Sequence, residues 1–201
     1  MTDAARDTAP LTIRRVDAIP VTLPLKKPIL MGGGQRFDRA QTLVVRIESA
    51  SGLVGWGEAS AAPTMTGDLL PGMAAAVRDH LGPLLPARNA LERARLGREL
   101  GHAIIGNTGP KAACDLALLD LAGRHLGVSA VELLGGPVRD SVLTMCLLGN
   151  PNVAQDIADA RKYRAQGYNC FKLKVGVKRV EEEIEAALAV REAIGTEPVL
   201  C

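Results

Sequence analysis

The sequence predicts an α+β unit over residues 11–135, followed over residues 136–201 by the first βα units of a parallel α/β domain. Two observations carry this prediction. In the N-terminal part, runs of β-branched residues come first and helical periodicity follows, which is typical of an α+β unit. From residue 141 onward, short apolar runs alternate with helical segments at the spacing of parallel βαβ units. Residues 1–10 are expected to form a flexible N-terminus.

The first elements are strands. Residues 11–25 (LTIRRVDAIPVTLPL) and 42–60 (TLVVRIESASGLVGWGEAS) are rich in β-branched residues, and Ser51-Gly52 marks a hairpin turn within the second run. Together they predict an antiparallel meander. Residues 26–41 (KKPILMGGGQRFDRAQ) are predicted to form a long glycine-bearing loop, of the kind that is usually either functional or disordered.

Three helices are predicted next, over residues 69–85, 89–104 and 110–127. The third has Pro110 in its first turn, where a missing N–H costs nothing, and it stops at Gly127, a natural left-handed cap. Its apolar residues run nearly all the way round. This helix is therefore expected to be buried on most sides.

The second unit alternates strand and helix. Strands are predicted over residues 141–149, 168–176 and 197–201, with helices that end at Gly167 and Gly195 between them. Parallel sheets are stable essentially only when both faces are covered, whereas two and a bit strands would leave edges and apolar faces open. The sequence is therefore expected to be a fragment of a longer protein.

Composition excludes several classes of function. The 201-residue chain is 47% hydrophobic and 23% charged, with a net charge of +2 and few aromatic residues. A charge this small and so few stacking groups argue against nucleic acid as a partner. No run has the length of a signal-peptide core or of a membrane span, so we expect no membrane association and a cytoplasmic location.

The cysteines and three acidic residues are interpreted as structural. Four cysteines without any C-x-x-C pair are read as small buried hydrophobes rather than as zinc ligands or a redox pair. Glu58 ends a strand, while Asp115 and Asp120 lie in the mostly apolar third helix. Because a buried carboxylate must be paired, we favour a backbone or cation partner for Glu58 and an arginine ion pair for each aspartate.

Lys172 and Lys174 form the most informative pattern in the sequence. They stand two residues apart in the run NCFKLKVG, so they share one face of the predicted strand, while Phe171, Leu173 and Val175 share the other. On spacing alone, an edge strand whose lysines deter aggregation is an equally good interpretation. The βαβ rhythm, however, places helices against the apolar face. The lysines would then face the interior of a closed (β/α) barrel, where active-site groups stand at the carboxyl ends of the strands.

In such a barrel Lys174 would be the working residue, because it is nearer the carboxyl end of the strand. A lysine is a base only when it is neutral, which is rare at neutral pH for an unperturbed side chain. Burial and a second ammonium group both disfavour the charged form, and Lys172 would supply the second effect. The pair is therefore interpreted as a way to make one lysine a proton acceptor.

Several of these stretches together resemble the mandelate racemase and muconate lactonizing enzyme group of the enolase superfamily, most closely its muconate cycloisomerase-like branch. The resemblance rests on TLVVRIESASGLVGWGEAS with PTMTGD after it, on GNTGPKAACDLALLDLAGRHLGVSAVELLGGPVRDSV, and on CFKLKVG, which matches the family's K-x-K strand. It covers nearly the whole chain in family order. It implies an α+β capping domain followed by the first βα units of a TIM-type (β/α) barrel, truncated.

The resemblance also implies a mechanism. Lys174 maps onto the base that removes or returns the proton α to a carboxylate, and Lys172 onto its companion. The enediolate that results would be stabilised by Mg²⁺. The family's metal-binding carboxylates stand at the ends of the third, fourth and fifth barrel strands, so the ligands are expected beyond Cys201. The 201 residues alone are expected to be inactive.

Two loops of the capping domain would close over the barrel mouth and shape specificity. Their candidate substrate-binding residues are Ile29, Met31, Met65 and Thr66, with Pro63 and Thr64 beside them. The implied partner is a small-molecule carboxylate, and the family often assembles, so a homo-oligomer is expected. Three readings stay open: a cycloisomerase, racemase or epimerase; a hydroxy-acid or sugar-acid dehydratase that uses the same enediolate; and a catalytically silent fragment.

Overall fold

The computed structural model describes residues 11–30, 36–150, 152–176 and 178–201. The chain divides into two compact units. The described part of the first contains residues 11–29 and 36–137, and the second contains Val138–Cys201. The division lies two residues beyond the boundary that the sequence predicts.

The first unit is built on a three-stranded sheet in the order β1-β2-β3, formed by β1 (Ile13–Leu30), β2 (Arg36–Ser49) and β3 (Val54–Ser60). Strands β2 and β3 pair antiparallel. Gly52 in the turn between them has φ of +86°, a left-handed conformation that glycine adopts without strain. The predicted strands and hairpin turn are confirmed.

The predicted loop over residues 26–41 is largely wrong, because β1 continues to Leu30 and β2 already begins at Arg36. The glycine run 32–34 led to the prediction of a loop, and these residues lie outside the described part of the chain. On either side of them the chain is extended, because β1 and β2 are hydrogen-bonded neighbours in the sheet.

Helices cover one face of this sheet. They are α1 (Leu70–Ala75), which continues as a π-helical segment and a 3₁₀ turn to Leu84, then α2 (Arg93–Ala103), α3 (Thr108–Leu126) and the short α4 (Ala130–Leu133). The three predicted helices are confirmed with these bounds. Gly127 ends α3 in the left-handed conformation, with φ of +66°, as predicted.

Helix α3 packs directly on the backbone of β3. A Cβ atom on Gly57 would lie 1.9 Å from the carbonyl oxygen of Ala113, and one on Gly55 would lie 2.3 Å from that of Ala117. Both distances are far below van der Waals contact. The two glycines of the GWG triplet are therefore required by the close approach of α3, which completes a core around Leu43, Val45 and Ile47 of β2.

The second unit contains β4 (Met145–Leu148), α5 (Val153–Ala165), β5 (Cys170–Leu173), α6 (Val180–Ile194) and β6 (Val199–Leu200). The strands form a parallel sheet in the order β4-β5-β6, which confirms the predicted βαβ units. All three strands are shorter than predicted. In particular, β5 ends at Leu173, so Lys174 is the first residue after the strand rather than part of it.

Candidate active site

The two faces of the second sheet differ in what lies on them. On one face, Cys146, Leu148 and Phe171 form a core with residues from α5 and α6. The opposite face is called the open face here. It carries Met145, Leu147, Lys172 and Val199, all of them exposed to at least a third.

Lys172 lies on the open face. It pairs in register with Leu147, whereas its neighbour Phe171 pairs with Cys146 and is fully buried under the helices. Pleating sends successive side chains to opposite faces, so burial of Phe171 requires Lys172 to point away from α5 and α6. This is the orientation that the sequence pattern predicts.

Lys174 lies at the carboxyl end of the sheet. Its backbone N–H donates to the carbonyl oxygen of Leu148 at 3.0 Å, which holds it beside the end of β4. Its half-buried side chain packs over Gly149, since a Cβ atom built on that glycine would lie 3.0 Å from Cβ and 3.2 Å from Cδ of Lys174. Val175 was expected to face the helices and is instead 63% exposed, because regular alternation stops with the strand at Leu173.

A buried carboxylate fixes the loop that contains Gly149. The residue Asp156, in the first turns of α5, is only 3% exposed. Its Oδ1 accepts hydrogen bonds from the backbone N–H groups of Gly149 and Asn150, both at 2.9 Å, and from Nδ2 of Asn150 at 2.7 Å. Three donors thus converge on one carboxylate oxygen, which ties the end of β4 to α5.

A second carboxylate holds the loop after Lys174 in the same way. Glu183 of α6 accepts hydrogen bonds from the backbone N–H groups of Gly176 and Lys178, each at 2.8 Å. Asp156 and Glu183 are each the fourth residue of their helix. Sequence reasoning missed both residues. The signal that could have found them is an acidic residue at the same helix position after each of two successive glycine-bearing loops.

The candidate lid residues of the first unit are placed as follows. Ile29 is the penultimate residue of β1 and is 45% exposed, while Met31 lies outside the described residues. In the turn after β3, Met65 is 72% exposed. The hydroxyl group of Thr66 donates to Asp68 at 2.8 Å.

This turn is compact and anchored. Backbone N–H groups of Met65 and Thr66 both donate to the carbonyl oxygen of Ala62, at 3.0 and 2.9 Å. Ala62 and Asp68 form an antiparallel bridge that closes it. The Asp68 carboxylate lies beside Gly109 in the first turn of α3, because a Cβ atom there would come within 3.2 Å of its Oδ2. Met65 therefore projects from a turn with a defined backbone.

The other acidic candidates have structural partners. Glu58 accepts a hydrogen bond from the Thr42 hydroxyl group at 2.8 Å, rather than from the backbone or a cation. Asp120 pairs with Arg124 at 2.9 Å and also accepts the backbone N–H of Trp56 on β3 at 2.9 Å. Asp115 lies 3.6 Å from Arg93. The predicted arginine partners of both aspartates are confirmed.

The cysteines fit the predicted role only in part. Cys114 and Cys146 are buried, and burial raises the pKa of Cys114 to about 12 and also raises the pKa of Cys146. Cys170 is half-buried, and Cys201 is exposed, so the prediction of a buried hydrophobe is wrong for Cys201.

Within the described residues, no group of three or more His, Cys, Asp or Glu side chains could hold a metal ion. None of the helices described here is both long and apolar enough to cross a bilayer.

Comparison with known proteins places an α+β unit followed by parallel βα units, as found here, in the enolase superfamily. The chain belongs to the mandelate racemase / muconate lactonizing enzyme family, whose N-terminal domain model matches residues 13–135. The fold predicted from the sequence, a capping domain followed by βα units, is thereby confirmed.

Relatives with different reactions resemble the chain to a similar degree. It is 29% identical to the L-Ala-D/L-Glu epimerase of Bacillus subtilis (strain 168), over 92% of this chain and 50% of the epimerase. It is 31% identical to muconate cycloisomerase 1 of Acinetobacter baylyi, again over 92% of this chain and 50% of the relative.

Among solved structures, N-succinyl Arg/Lys racemase from Bacillus cereus matches with a TM-score of 0.87 at 25% identity. That match covers 94% of this chain and 51% of the racemase chain. The chain spans about half the length of the curated relatives it matches.

Proposed function

We propose that this chain is part of an isomerase, a cycloisomerase, racemase or epimerase, that removes and returns the proton α to a carboxylate through an enediolate. Lys174 is the base and Lys172 its companion. The observation that carries the proposal is the position of the pair: Lys172 on the open face and Lys174 directly after the strand, at the carboxyl end of a parallel sheet. Relatives that include an epimerase, cycloisomerases and a racemase support the general kind of reaction.

The position of Lys174 suits proton transfer for a geometric reason. Carboxyl ends of parallel strands are where side chains from several strands converge on one substrate. A base must come within hydrogen-bond reach of the proton that it takes, so its side chain has to be held in one place. The contact with Gly149 and the hydrogen bond to Leu148 restrict Lys174 in this way.

Mg²⁺ belongs to this proposal as the cation that offsets the charge of the enediolate. The described residues do not supply a set of ligands for it. The carboxylates that hold it would come from the part of the relatives' length that this chain does not span.

The substrate is proposed to be a small-molecule carboxylate. The whole protein is proposed to be cytoplasmic and to form a homo-oligomer. Ile29, Met31, Met65 and Thr66 are proposed to contact the part of the substrate remote from the carboxylate. The exposure of Ile29 and Met65 supports this role, because apolar side chains of this size at the surface are available for contact with a ligand.

The test is exchange of the substrate α-proton with solvent, followed by NMR in D₂O. Full-length protein would be incubated with Mg²⁺ and a panel of carboxylates that includes amino-acid derivatives and muconate-like diacids. Substitution of Lys174→Ala is expected to lower the exchange rate by about 10²–10⁴-fold, the usual contribution of a positioned acid or base. Lys162→Ala, on the exposed side of α5, is the matched control and should exchange like the parent.

Unchanged exchange in the Lys174→Ala protein would remove this residue from the role of base. Loss of water from a hydroxy acid in place of isomerisation would assign the same site to a dehydratase. Absence of exchange with every carboxylate in the panel would count against an isomerase.

A further inference from the structure

The loop after β4 packs closely against the side chain of Lys174 at its first residue, Gly149. A Cβ atom on Gly149 would lie 3.0, 3.2 and 3.3 Å from Cβ, Cδ and Cγ of Lys174. These distances are tighter than ordinary van der Waals contact along most of the aliphatic stem. Gly149 is not among the glycines with positive φ, so its backbone would accept alanine. Space for the lysine, and not backbone conformation, is what favours glycine here.

Gly149 can restrict the orientation of the Lys174 side chain only if Gly149 itself is held in place, and Asp156 holds it. The carboxylate is almost completely buried, and one of its oxygens accepts three hydrogen bonds from Gly149 and Asn150. A buried charge is stable only when it is well hydrogen-bonded, so a shift of this loop would leave a buried anion with unpaired oxygen. The loop is therefore held rigidly against α5.

Glu183 restrains the chain on the other side of Lys174. It holds the backbone N–H of Gly176, two residues after the lysine, while the N–H of Lys174 itself donates to Leu148. The backbone is thus held at Lys174 itself and two residues later at Gly176. Gly149 in turn limits the direction in which the aliphatic stem of Lys174 can point. Few orientations of the ammonium group remain.

We propose that Gly149 and Asp156 are positioning residues for Lys174. Asp156 holds the loop, the loop brings Gly149 against the aliphatic stem, and this contact selects the rotamer that presents the ammonium group at the carboxyl end of the sheet. Neither residue touches the reacting atoms. This inference rests on the proposed function for its catalytic consequence, while its structural part concerns only Lys174 and can be measured without turnover.

Gly149→Ala is the primary test. The added methyl group should displace the stem of Lys174 by a few tenths of an ångström or change its rotamer. In full-length protein, kcat for α-proton exchange should fall by roughly 10–100-fold, because small misplacements of a catalytic group have effects of this size. KM should stay within about twofold, since the substrate contacts are untouched. Gly101→Ala, where a Cβ atom meets nothing within 4 Å, is the matched control and should leave kcat unchanged.

Amine labelling reports on Lys174 without any assay of activity. Full-length protein would be treated with a limiting amount of an acetylating reagent, and acetylation at each lysine would be quantified by peptide mass spectrometry. The ratio of the Lys174 rate to the Lys172 rate should shift away from the parent value in Gly149→Ala, because a displaced stem changes the surroundings of the Lys174 amine but not those of the Lys172 amine. The same ratio should be unaltered in Gly101→Ala.

Two substitutions of Asp156 separate positioning from general stability. Asp156→Ala removes all three hydrogen bonds and should change the Lys174 labelling ratio as Gly149→Ala does. Asp156→Asn keeps an oxygen acceptor in the same place, so it should restore most of the parent ratio and most of kcat. If Asp156→Ala does not fold, Gly149→Ala and Asp156→Asn still decide the matter.

The outcomes distinguish this inference from the proposed function. If Lys174→Ala abolishes exchange but Gly149→Ala changes neither kcat nor the labelling ratio, the positioning role is wrong and the function stands. If no variant shows exchange but the labelling ratio changes as described, the positioning of Lys174 is supported and the proposed function is wrong. A folded Asp156→Ala protein that labels like the parent would overturn the role of Asp156.

Discussion

The sheets of the two units differ in the face that lies away from their helices. In the first unit that face carries a network of charged side chains, in which Arg46 pairs with Glu48 at 2.8 Å and with Asp17 at 3.1 Å and lies over the ring of Trp56. In the second unit the open face carries Met145, Leu147 and Val199, without a comparable network among the residues that the structure describes.

The comparison teaches that the two outer faces are suited to different surroundings. An antiparallel sheet commonly has one solvated face, and paired charges on the first sheet match that state. Half-exposed methionine, leucine and valine on a parallel sheet are typical of a face that is covered in the folded protein, since parallel sheets are rarely open to water. Lys172 lies beside these apolar residues, and Lys174 directly follows the strand, so a cover over this face would shield Lys172 from bulk solvent.

The largest loss of stability is expected from Phe171→Ala. Comparison of this variant with one on the open face tests the difference between the two faces of the second sheet. Phe171 is fully buried, and removal of a large core side chain typically costs about 3–5 kcal/mol. Leu147→Ala, on the open face, should cost less than about 0.5 kcal/mol in this chain. Urea denaturation would be followed by the NMR ring signals of Tyr163 and Tyr168, the two tyrosines of the sequence, which pack edge to face in the second unit.

A Leu147→Ala protein destabilised as strongly as Phe171→Ala would show that the open face is packed in solution. In that case the contrast between the two sheets would disappear. Leu147→Lys would then be the more severe change, because it would place a third ammonium group in a packed apolar layer.

A smaller effect is expected from Gly57→Ala in the first unit. The added Cβ atom would overlap the carbonyl oxygen of Ala113, so α3 and β3 must separate. Overpacking of this kind typically costs about 1–3 kcal/mol. The fluorescence of Trp56, the only tryptophan of the sequence, reports on this sheet during urea denaturation. Gly101→Ala adds a methyl group that meets nothing within 4 Å and should raise the midpoint slightly, since alanine is the better helix former in α2. An unchanged midpoint for Gly57→Ala would show that α3 does not need the glycine.

The sequence predicted those parts of the fold that depend on local chemistry. Pro110 and Gly127 mark the ends of α3 correctly, and Gly167 and Gly195 do the same for the helices of the second unit, because caps and breakers act within one turn. The extent of β1 was missed because the glycine run 32–34 predicted a long loop, and pairing with a neighbouring strand is not visible in the sequence of the strand itself.

The candidate site likewise contains one part that the sequence predicted and one part that it did not. Alternation along the strand was enough to orient Lys172, because one buried neighbour settles the face. Asp156, Glu183 and Gly149 depend on contacts between a loop, a helix and a lysine that are 7 to 25 residues apart in sequence. Periodicity carries no information about such contacts, so the packing of Gly149 against Lys174 became visible only in three dimensions.

The smallest effect is expected from a partly buried ion pair of the first unit. Arg88 donates two hydrogen bonds to Glu99, at 2.7 and 2.9 Å, and links the segment before α2 to that helix. These bonds, with a further contribution from Arg95, lower the pKa of Glu99 below its ordinary value of 4.5. A carboxyl group with a lowered folded-state pKa contributes stability above its unfolded pKa and loses that contribution as the pH falls through the folded value.

Glu99→Gln should therefore lower the urea midpoint of the Trp56 signal slightly at pH 7 and converge with the parent as the pH falls below about 4.5. The tyrosine signals of the second unit should not respond. Glu182→Gln on the exposed side of α6 removes one carboxylate from the second unit and serves as the control. A difference that persists below the lowered pKa of Glu99 would mean that the side chain acts through packing. A response of the tyrosine signals would show instead that the two units do not unfold independently.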